Sequence, residues 1–228
     1  MIGNCSADVV SSTVPCSTKW MRGTVNSFYI GIIATALATI LGTLAALGLS
    51  RPHMPYKGLI MAILISPMIV PLIITAAGMF FFYARINLVY TFTGVILAHV
   101  ALATPFVVIT VTATLVGFDM NMVKASQSLG ARPVRTFFKV IMPLILPGII
   151  SGALFAFITS FDEVVIVMFM ASLDQLTIPK QMWAGIRQEI SPVILCMATC
   201  LVALSIFLLT TVELLRRRSE RLRGIKSR

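Results

Sequence analysis

Two adjacent carboxylates, Asp162 and Glu163, interrupt an apolar stretch that reads SFDEVVIVMF. A charged side chain inside a membrane costs at least about 2.5 to 3.5 kcal/mol, so such acids face water, a cation or a protein partner rather than lipid. On a continuous helix from Gly148 they would lie about 21 Å along the axis and point about 100° apart. We predict that one acid lines a path for a cationic solute, with Asp162 as the first choice. The other acid would pair with a basic group or the backbone of a neighbouring subunit, and both could also be purely structural.

A basic module, KASQSLGARPVRTFFKVIMPLILPG, covers residues 124–148 and holds four Lys and Arg with no acid. Asp119 is a suitable N-cap and Gly130 a suitable stop for a short surface helix. Pro133 then fits the first turn of a second helix, which we expect the next two prolines to interrupt. Two interpretations remain open: a knob that a soluble partner grips, or an amphipathic link that lies on lipid.

The sequence lacks the residues for nucleotide binding, zinc binding and Ser-His-Asp catalysis. The chain has no Gly-x-x-x-x-Gly-Lys-Ser/Thr loop for nucleotide phosphates, no zinc-like ligand spacing and no Ser, His and Asp set. His99 lies in an apolar stretch, where helix packing is a better explanation than a role in a path. We expect a chain that is not an enzyme and binds no cofactor or metal itself.

The amino-acid composition indicates that membrane-spanning helices position these residues. Hydrophobic residues make up 58% of the chain and charged residues 11%, which is typical of a membrane protein and excludes a water-soluble bundle. A bilayer needs about 20 apolar residues per helix. Five stretches qualify: 25–49, 58–83, 90–116, 147–171 and 192–215. The sequence therefore predicts an all-α membrane protein, with proline kinks at Pro67, Pro71 and Pro105.

Basic residues set the orientation. With the links 50–57 and 117–146 and the tail 216–228 inside, thirteen of the 18 Lys and Arg face the cytoplasm. Residues 1–23 then form an external tail, in which Cys5 and Cys16 could pair, and residues 24–215 form the membrane domain. The basic tail is interpreted as an anchor at anionic lipid. Because the basic residues are scattered over these links, the net charge of +10 does not indicate nucleic-acid binding.

The basic module resembles the coupling loop of the inner-membrane permease subunits of binding-protein-dependent ABC importers. That signature is Glu-Ala-Ala, three residues, Gly, nine residues, Ile, any residue, Leu-Pro. It falls here on Lys124, Ala125, Ser126, Gly130, Val140, Met142 and Pro143. The glycine and proline spacings match, while Lys replaces the signature acid and Ser the second Ala.

Longer stretches resemble the second permease subunit of spermidine/putrescine importers. They include ATPFVVITVTATLVGFDMNM, SFDEVVIVMF and TIPKQMWAGIRQEISPVILCMAT. The resemblance implies a type I importer permease bundle in the bacterial inner membrane. It also implies four kinds of partner: a second permease, two cytoplasmic ATPases that bind ATP and Mg²⁺, and an external substrate-binding protein. Members usually have six spans, and this chain starts at what would be the second.

In such an importer the ATPases would contact residues 119–143, including Asp119 at the start of the coupling helix. Two other classes of function remain open from the residues. A secondary transporter or channel would use the acidic pair as a coupling-ion site and need no ATPase. A membrane scaffold would have partners without solute uptake.

Overall fold

The computed structural model of the chain describes residues 7–51, 54–116, 121–188 and 192–222, and these residues contain helices and connecting turns only. The α-helices are α1 Ala7–Leu49, α2 Lys57–Ile69, α3 Leu72–Arg85, α4 Phe92–Val116, α5 Asn121–Ser128, α6 Pro133–Thr136, α7 Met142–Phe161, α8 Val165–Met170, α9 Ile178–Gln188 and α10 Pro192–Leu222. A π-helical segment, Phe137–Ile141, joins α6 to α7.

Four stretches of helix are long and apolar enough to cross a membrane: Lys19–Leu49, Phe92–Val116, Pro133–Phe161 and Ile194–Thr211. The bent pair α2 and α3 makes a fifth if the two helices cross as one broken span. The all-α prediction with about five spans is therefore confirmed.

Helix α1 is longer than its predicted span. Its 43 residues extend about 65 Å, against about 30 Å for the hydrocarbon layer. From Ala7 onward, the stretch that we expected to be an N-terminal tail belongs to this helix. Cys5 and the side chain of Cys16 lie outside the described part of the chain, so the predicted disulfide falls there too. At the other end, the predicted basic tail begins inside α10.

The centre of the bundle is formed by α1, α4 and α7, which pack on one another. Small residues on one face of α1, among them the fully buried Ala34 and Ala38, let the helices approach closely. A Cβ atom on Gly42 would lie 2.7 Å from Cβ of Val107 in α4. On α7, a Cβ atom on Gly152 would collide with Thr110 Oγ1 of α4. These contacts make α4 the most enclosed of the spanning helices.

The predicted kink at Pro71 is a complete break, because α2 and α3 meet at 104°, so the predicted span 58–83 is not one continuous helix. Pro71 has no N–H to continue the helix, and its ring disfavours helical geometry at the residue before it. Val70 accordingly has ψ 136° and Pro71 ψ 128°, both outside the helical region. Pro67 lies inside α2 and does not end it.

The predicted span 147–171 is also wrong. Helix runs from Pro133 to Phe161, and it ends ten residues before the predicted boundary. Pro143 and Pro147, which we expected to interrupt the second helix, lie within α7. A π turn, in which the Met142 N–H pairs with the Phe137 carbonyl, shifts the register just before Pro143. This proline then occupies the first turn of α7, where it has no hydrogen bond to lose.

Candidate functional site

Glu163 lies where α7 breaks into α8. Helix α7 ends at Phe161, and Asp162 closes its last turn by donating its N–H to the Ile158 carbonyl. The Glu163 carboxylate accepts a hydrogen bond of 3.0 Å from the N–H of Ile166, in the first turn of α8. An acid at a helix N-terminus satisfies a free N–H and interacts favourably with the helix dipole. The carboxylate thus caps α8, and the residue is only 7% exposed.

The same residue lines a cavity of about 350 Å³. One wall is the break between α2 and α3, residues 67–72, and the other lining residues are Leu102, Phe106, Thr159 and Glu163. Two broken helices therefore meet at one cavity. Among the described residues that line it, Glu163 carries the one ionisable side chain.

Asp162 is placed differently. Its side chain is exposed, and it is not part of the cavity lining. The prediction that both acids lie on one continuous helix is wrong, because α7 ends before them. Their relative direction follows from the turn at Asp162 and not from helical periodicity. The structure thus separates the acids into a buried one at the cavity and an exposed one beside it.

The other end of α8 is closed by two groups from elsewhere in the chain. The Lys180 ammonium donates to the carbonyl oxygens of Val167, at 3.1 Å, and Ala171, at 3.0 Å. The Tyr90 N–H donates to the carbonyl of Met170, at 2.9 Å. Lys180 is half-buried, and this burial lowers the pKa of its ammonium from the ordinary value. Helix α8 is consequently capped by a carboxylate at one end and an ammonium at the other.

Lys180 belongs to α9, which is tied to α1 by side-chain hydrogen bonds. Ser27 Oγ accepts from the N–H of Ile178, the first residue of α9. Asn26 Nδ2 donates to the carbonyls of Asp174 and Leu176, at 2.8 and 3.0 Å. The loop before α9 is thus held against the central bundle.

The basic module folds as helix, turn and helix. Gly130 has φ 78°, the left-handed geometry that glycine adopts without strain, and α5 ends two residues before it. Pro133 is in the first turn of α6, as predicted. The hydroxyls of Ser126 in α5 and Thr136 in α6 lie 2.9 Å apart, and Thr136 is buried. This contact fixes α5 against the start of the long helix that includes α7.

The remaining signature positions differ in their exposure to solvent. Lys124 and Ala125 are exposed on α5, Val140 and Met142 are partly buried, and Pro143 is exposed. Asp119 lies outside the described residues. The module therefore presents α5 outward and attaches through α6 and the π segment.

His99 of α4 is 1% exposed, and its Nδ1 lies 2.8 Å from Oγ of Ser160 in α7. Its Nε2 has no hydrogen-bond partner among the described protein atoms. This contact bridges two central helices, as the packing interpretation predicts. Within the described ranges, no group of three His, Cys, Asp or Glu side chains could hold a metal ion.

Sequence reasoning missed the residues whose partners are distant in the chain. Lys180 is one of the five Lys and Arg that the charge distribution leaves outside the cytoplasm, and no contact was predicted for it. Thr136, Asn26 and Ser27 were not singled out either. The sequence does carry one weak signal, since Lys180 follows the apolar stretch of the acidic pair and begins a polar, amphipathic helix. Its hydrogen-bond partners were not predictable from that pattern.

The sequence profile described as "Binding-protein-dependent transport system inner membrane component" matches residues 38–221. The chain is 30% identical over 199 residues to the spermidine/putrescine transport system permease protein PotC of Haemophilus influenzae, with 87% of this chain and 77% of that protein covered. It is 26% identical over 211 residues to PotC of Escherichia coli strain K12, with 88% and 80% covered.

The fold is also found among solved structures. An inward-facing conformation of the MetNI methionine ABC transporter matches with a TM-score of 0.64 at 18% identity, and the match covers 94% of this chain and 99% of that one. At this identity the likeness concerns the fold alone. It places the helical bundle among those of ABC importer permeases.

Proposed function

Because the chain belongs to the family of binding-protein-dependent transport system inner membrane components, we propose that it forms part of the pore of an ATP-driven importer for a small cationic solute. Spermidine or putrescine fits this description, since the similar PotC proteins are named for those solutes. The chain itself carries out no chemistry. It exposes the solute site alternately to the outside and to the inside of the membrane.

The observation that carries the proposal is the position of Glu163. A buried carboxylate in a membrane protein is costly unless hydrogen bonds, water or a cation compensate its charge, so its position at a cavity favours a functional role. Backbone N–H groups at the start of α8, including that of Ile166, bond this carboxylate and hold it in the wall of the cavity. A solute ammonium that enters there would exchange water for this carboxylate, which favours cations over neutral or anionic solutes.

The exposed Asp162 extends the acidic site beyond the cavity. Its neighbour in the assembled transporter would be the second permease or the water-filled path between the two subunits. We retain it as a residue of the path, next to Glu163. A volume of about 350 Å³ is within the usual range for a small-molecule site, so one chain already offers space for a solute group.

The module around α5 supplies the coupling to ATP. We propose that two cytoplasmic ATPase subunits bind ATP and Mg²⁺, and that α5 binds in a groove on one of them. Exposed Lys124 and Ala125 would contact it, and the Ser126 and Thr136 pair would transmit its movement to α7. Since α7 ends at the acidic site, a displacement of α5 reaches the cavity along a single helix.

The assembly needs further partners. An external substrate-binding protein would deliver the solute, and a second permease would complete the path. The described side chains of α10 between Leu195 and Leu209 are mainly apolar and largely exposed, which fits lipid on one side and a neighbouring subunit on the other. We propose that the N-terminus lies outside and the C-terminus inside the inner membrane, as the distribution of Lys and Arg predicts.

The test is putrescine uptake by complexes reconstituted with the second permease, the ATPases and the binding protein. We expect Glu163→Gln to raise the KM for putrescine strongly and Asp162→Asn to raise it less. Asp174→Asn is the matched control, since it removes an exposed acid of the loop before α9. Wild-type uptake by both acid variants would show that the two acids are not part of the solute path.

Purification of the chain with its partners separates the other functions. An ATPase that co-purifies and is required for uptake supports the importer. Uptake that persists without any ATPase would indicate a secondary transporter or channel. Partners without uptake would indicate a membrane scaffold.

A further inference from the structure

Helix α8 is too short to be stable by itself. It has six residues, Val165–Met170, while isolated helices below about 12 to 15 residues are marginal in water. Ile166, Val167 and Met170 are buried, and α8 packs against α3 and α4. Because Glu163 caps its first turn, any movement of α8 also moves that carboxylate relative to the cavity.

Lys180 closes the opposite end of α8. The last carbonyls of a helix carry partial negative charge, so a cation that donates to them is favourable. The Lys180 ammonium donates to two such carbonyls, those of Val167 and Ala171. Lysine side chains are rarely buried without partners. Here the ammonium is half-buried, at a cost reflected in its lowered pKa, and the two hydrogen bonds offset that cost.

The backbone that carries Lys180 is itself anchored. Ser27 of α1 accepts from the Ile178 N–H at the start of α9, and the Gln181 side chain donates to the Lys19 carbonyl of α1. A continuous series of contacts thus runs from α1 through α9 and Lys180 to α8. It ends at the Glu163 carboxylate.

We propose that Lys180 is a positioning residue that holds α8, and with it Glu163, in register with the cavity, and that it links the surface helix α9 to the acidic site. This inference rests on the proposed role of Glu163 in the solute path. Lys180 itself does not touch the solute. Its loss would leave the backbone of α8 free to shift while the cavity residues stay unchanged.

The experiment compares Lys180→Met with Lys180→Arg in the complete reconstituted complex, with putrescine as the probe. Methionine keeps the length of the side chain but removes both hydrogen bonds. Arginine retains charge and donors for the same carbonyls. Arg187→Gln is the control, because it removes a positive charge from the same helix, where its guanidinium lies over the Trp183 ring and away from α8.

We expect Lys180→Met to raise KM for putrescine about three- to tenfold, which is less than the loss of a hydrogen bond from a charged group can cost, because Lys180 acts on the solute only through α8. The maximal rate should change less, because coupling to the ATPase is untouched. Hydrogen exchange should accelerate at the amides of Met168 in α8 and of Ala171 just after it, whose acceptors are the carbonyls of Val164 and Val167. Lys180→Arg should restore both values, and Arg187→Gln should leave both as in the wild type.

A parallel Glu163→Gln complex separates the two proposals. If Glu163→Gln raises KM while Lys180→Met changes neither KM nor α8 exchange, the positioning role is refuted and the proposed function stands. If Glu163→Gln transports putrescine as the wild type does, the proposed function of that acid fails and the positioning role falls with it. Lys180→Leu, which also lacks both the charge and the donors, provides the same comparison if the methionine variant does not assemble.

Discussion

Replacement of Gly130 tests whether the turn between α5 and α6 transmits movement. Gly130 has φ 78°, and no atom lies within 4 Å of the position that a Cβ atom would occupy. Steric contact with neighbours therefore contributes nothing, and the effect of a substitution is backbone strain alone. A residue with a Cβ atom costs about 1 to 2 kcal/mol in this left-handed region, and a β-branched residue lies at the upper end.

A penalty of 1 to 2 kcal/mol corresponds to a factor of about 5 to 30 in a conformational equilibrium. Gly130→Val should move the turn out of the left-handed region in much of the population and rotate α5 away from α6. The Ser126 and Thr136 hydroxyls would then separate, and α5 would no longer move with α7. We expect normal membrane insertion but a fall of about fivefold or more in the number of solutes imported per ATP hydrolysed.

The assay is simultaneous measurement of putrescine uptake and ATP hydrolysis in proteoliposomes. Gly130→Asn should retain most of the coupling, because asparagine tolerates this backbone region. Gly58→Val is the matched control at an exposed helical glycine, where an added Cβ atom also has no neighbour within 4 Å. Gly130→Val with the wild-type ratio of uptake to hydrolysis would refute the reasoning.

Two further substitutions test the central bundle by thermal unfolding in detergent. Gly152→Leu should lower the free energy of unfolding by about 1 to 3 kcal/mol, because its Cβ atom would collide with Thr110. Gly48→Ala should change it little, since the space around Gly48 is open, and equal stabilities of the two variants would contradict the close packing. Ser160→Ala should cost about 1 to 3 kcal/mol by leaving the buried Nδ1 of His99 without its partner, and wild-type stability would show that this hydrogen bond contributes nothing.

The spanning helices were predictable because lipid leaves few solutions. A backbone without water must bond internally, so long apolar stretches become helices, and the stretches 25–49 and 90–116 appear nearly as predicted. The effect of individual prolines was not predictable in the same way. Pro71 breaks its span by 104°, while Pro143 and Pro147 lie within α7. For Pro143 the difference comes from the π turn just before it, which no local pattern indicates.

The candidate site was predictable in its chemistry and not in its geometry. Two acids in an apolar stretch are costly, and this cost alone singled out Asp162 and Glu163. Which acid faces the cavity depends on where α7 ends and on the distant wall formed by residues 67–72. The anchoring of α9 is even less local, since Ser27 and Ile178 are 151 residues apart in the chain.

The geometry of the two breaks makes Glu163 the side chain on which the proposed preference for a cation depends. Each break places the C-terminus of one helix, α2 or α7, beside the N-terminus of the next, α3 or α8. A helix C-terminus carries about half a negative charge and an N-terminus about half a positive charge, so the two ends at each break largely cancel. The Glu163 carboxylate is the charge that remains at the cavity, and Gln at that position would leave it nearly neutral. The preference for a cation is therefore expected to depend on this side chain, while the broken helices provide the opening and a polar backbone that a solute can approach.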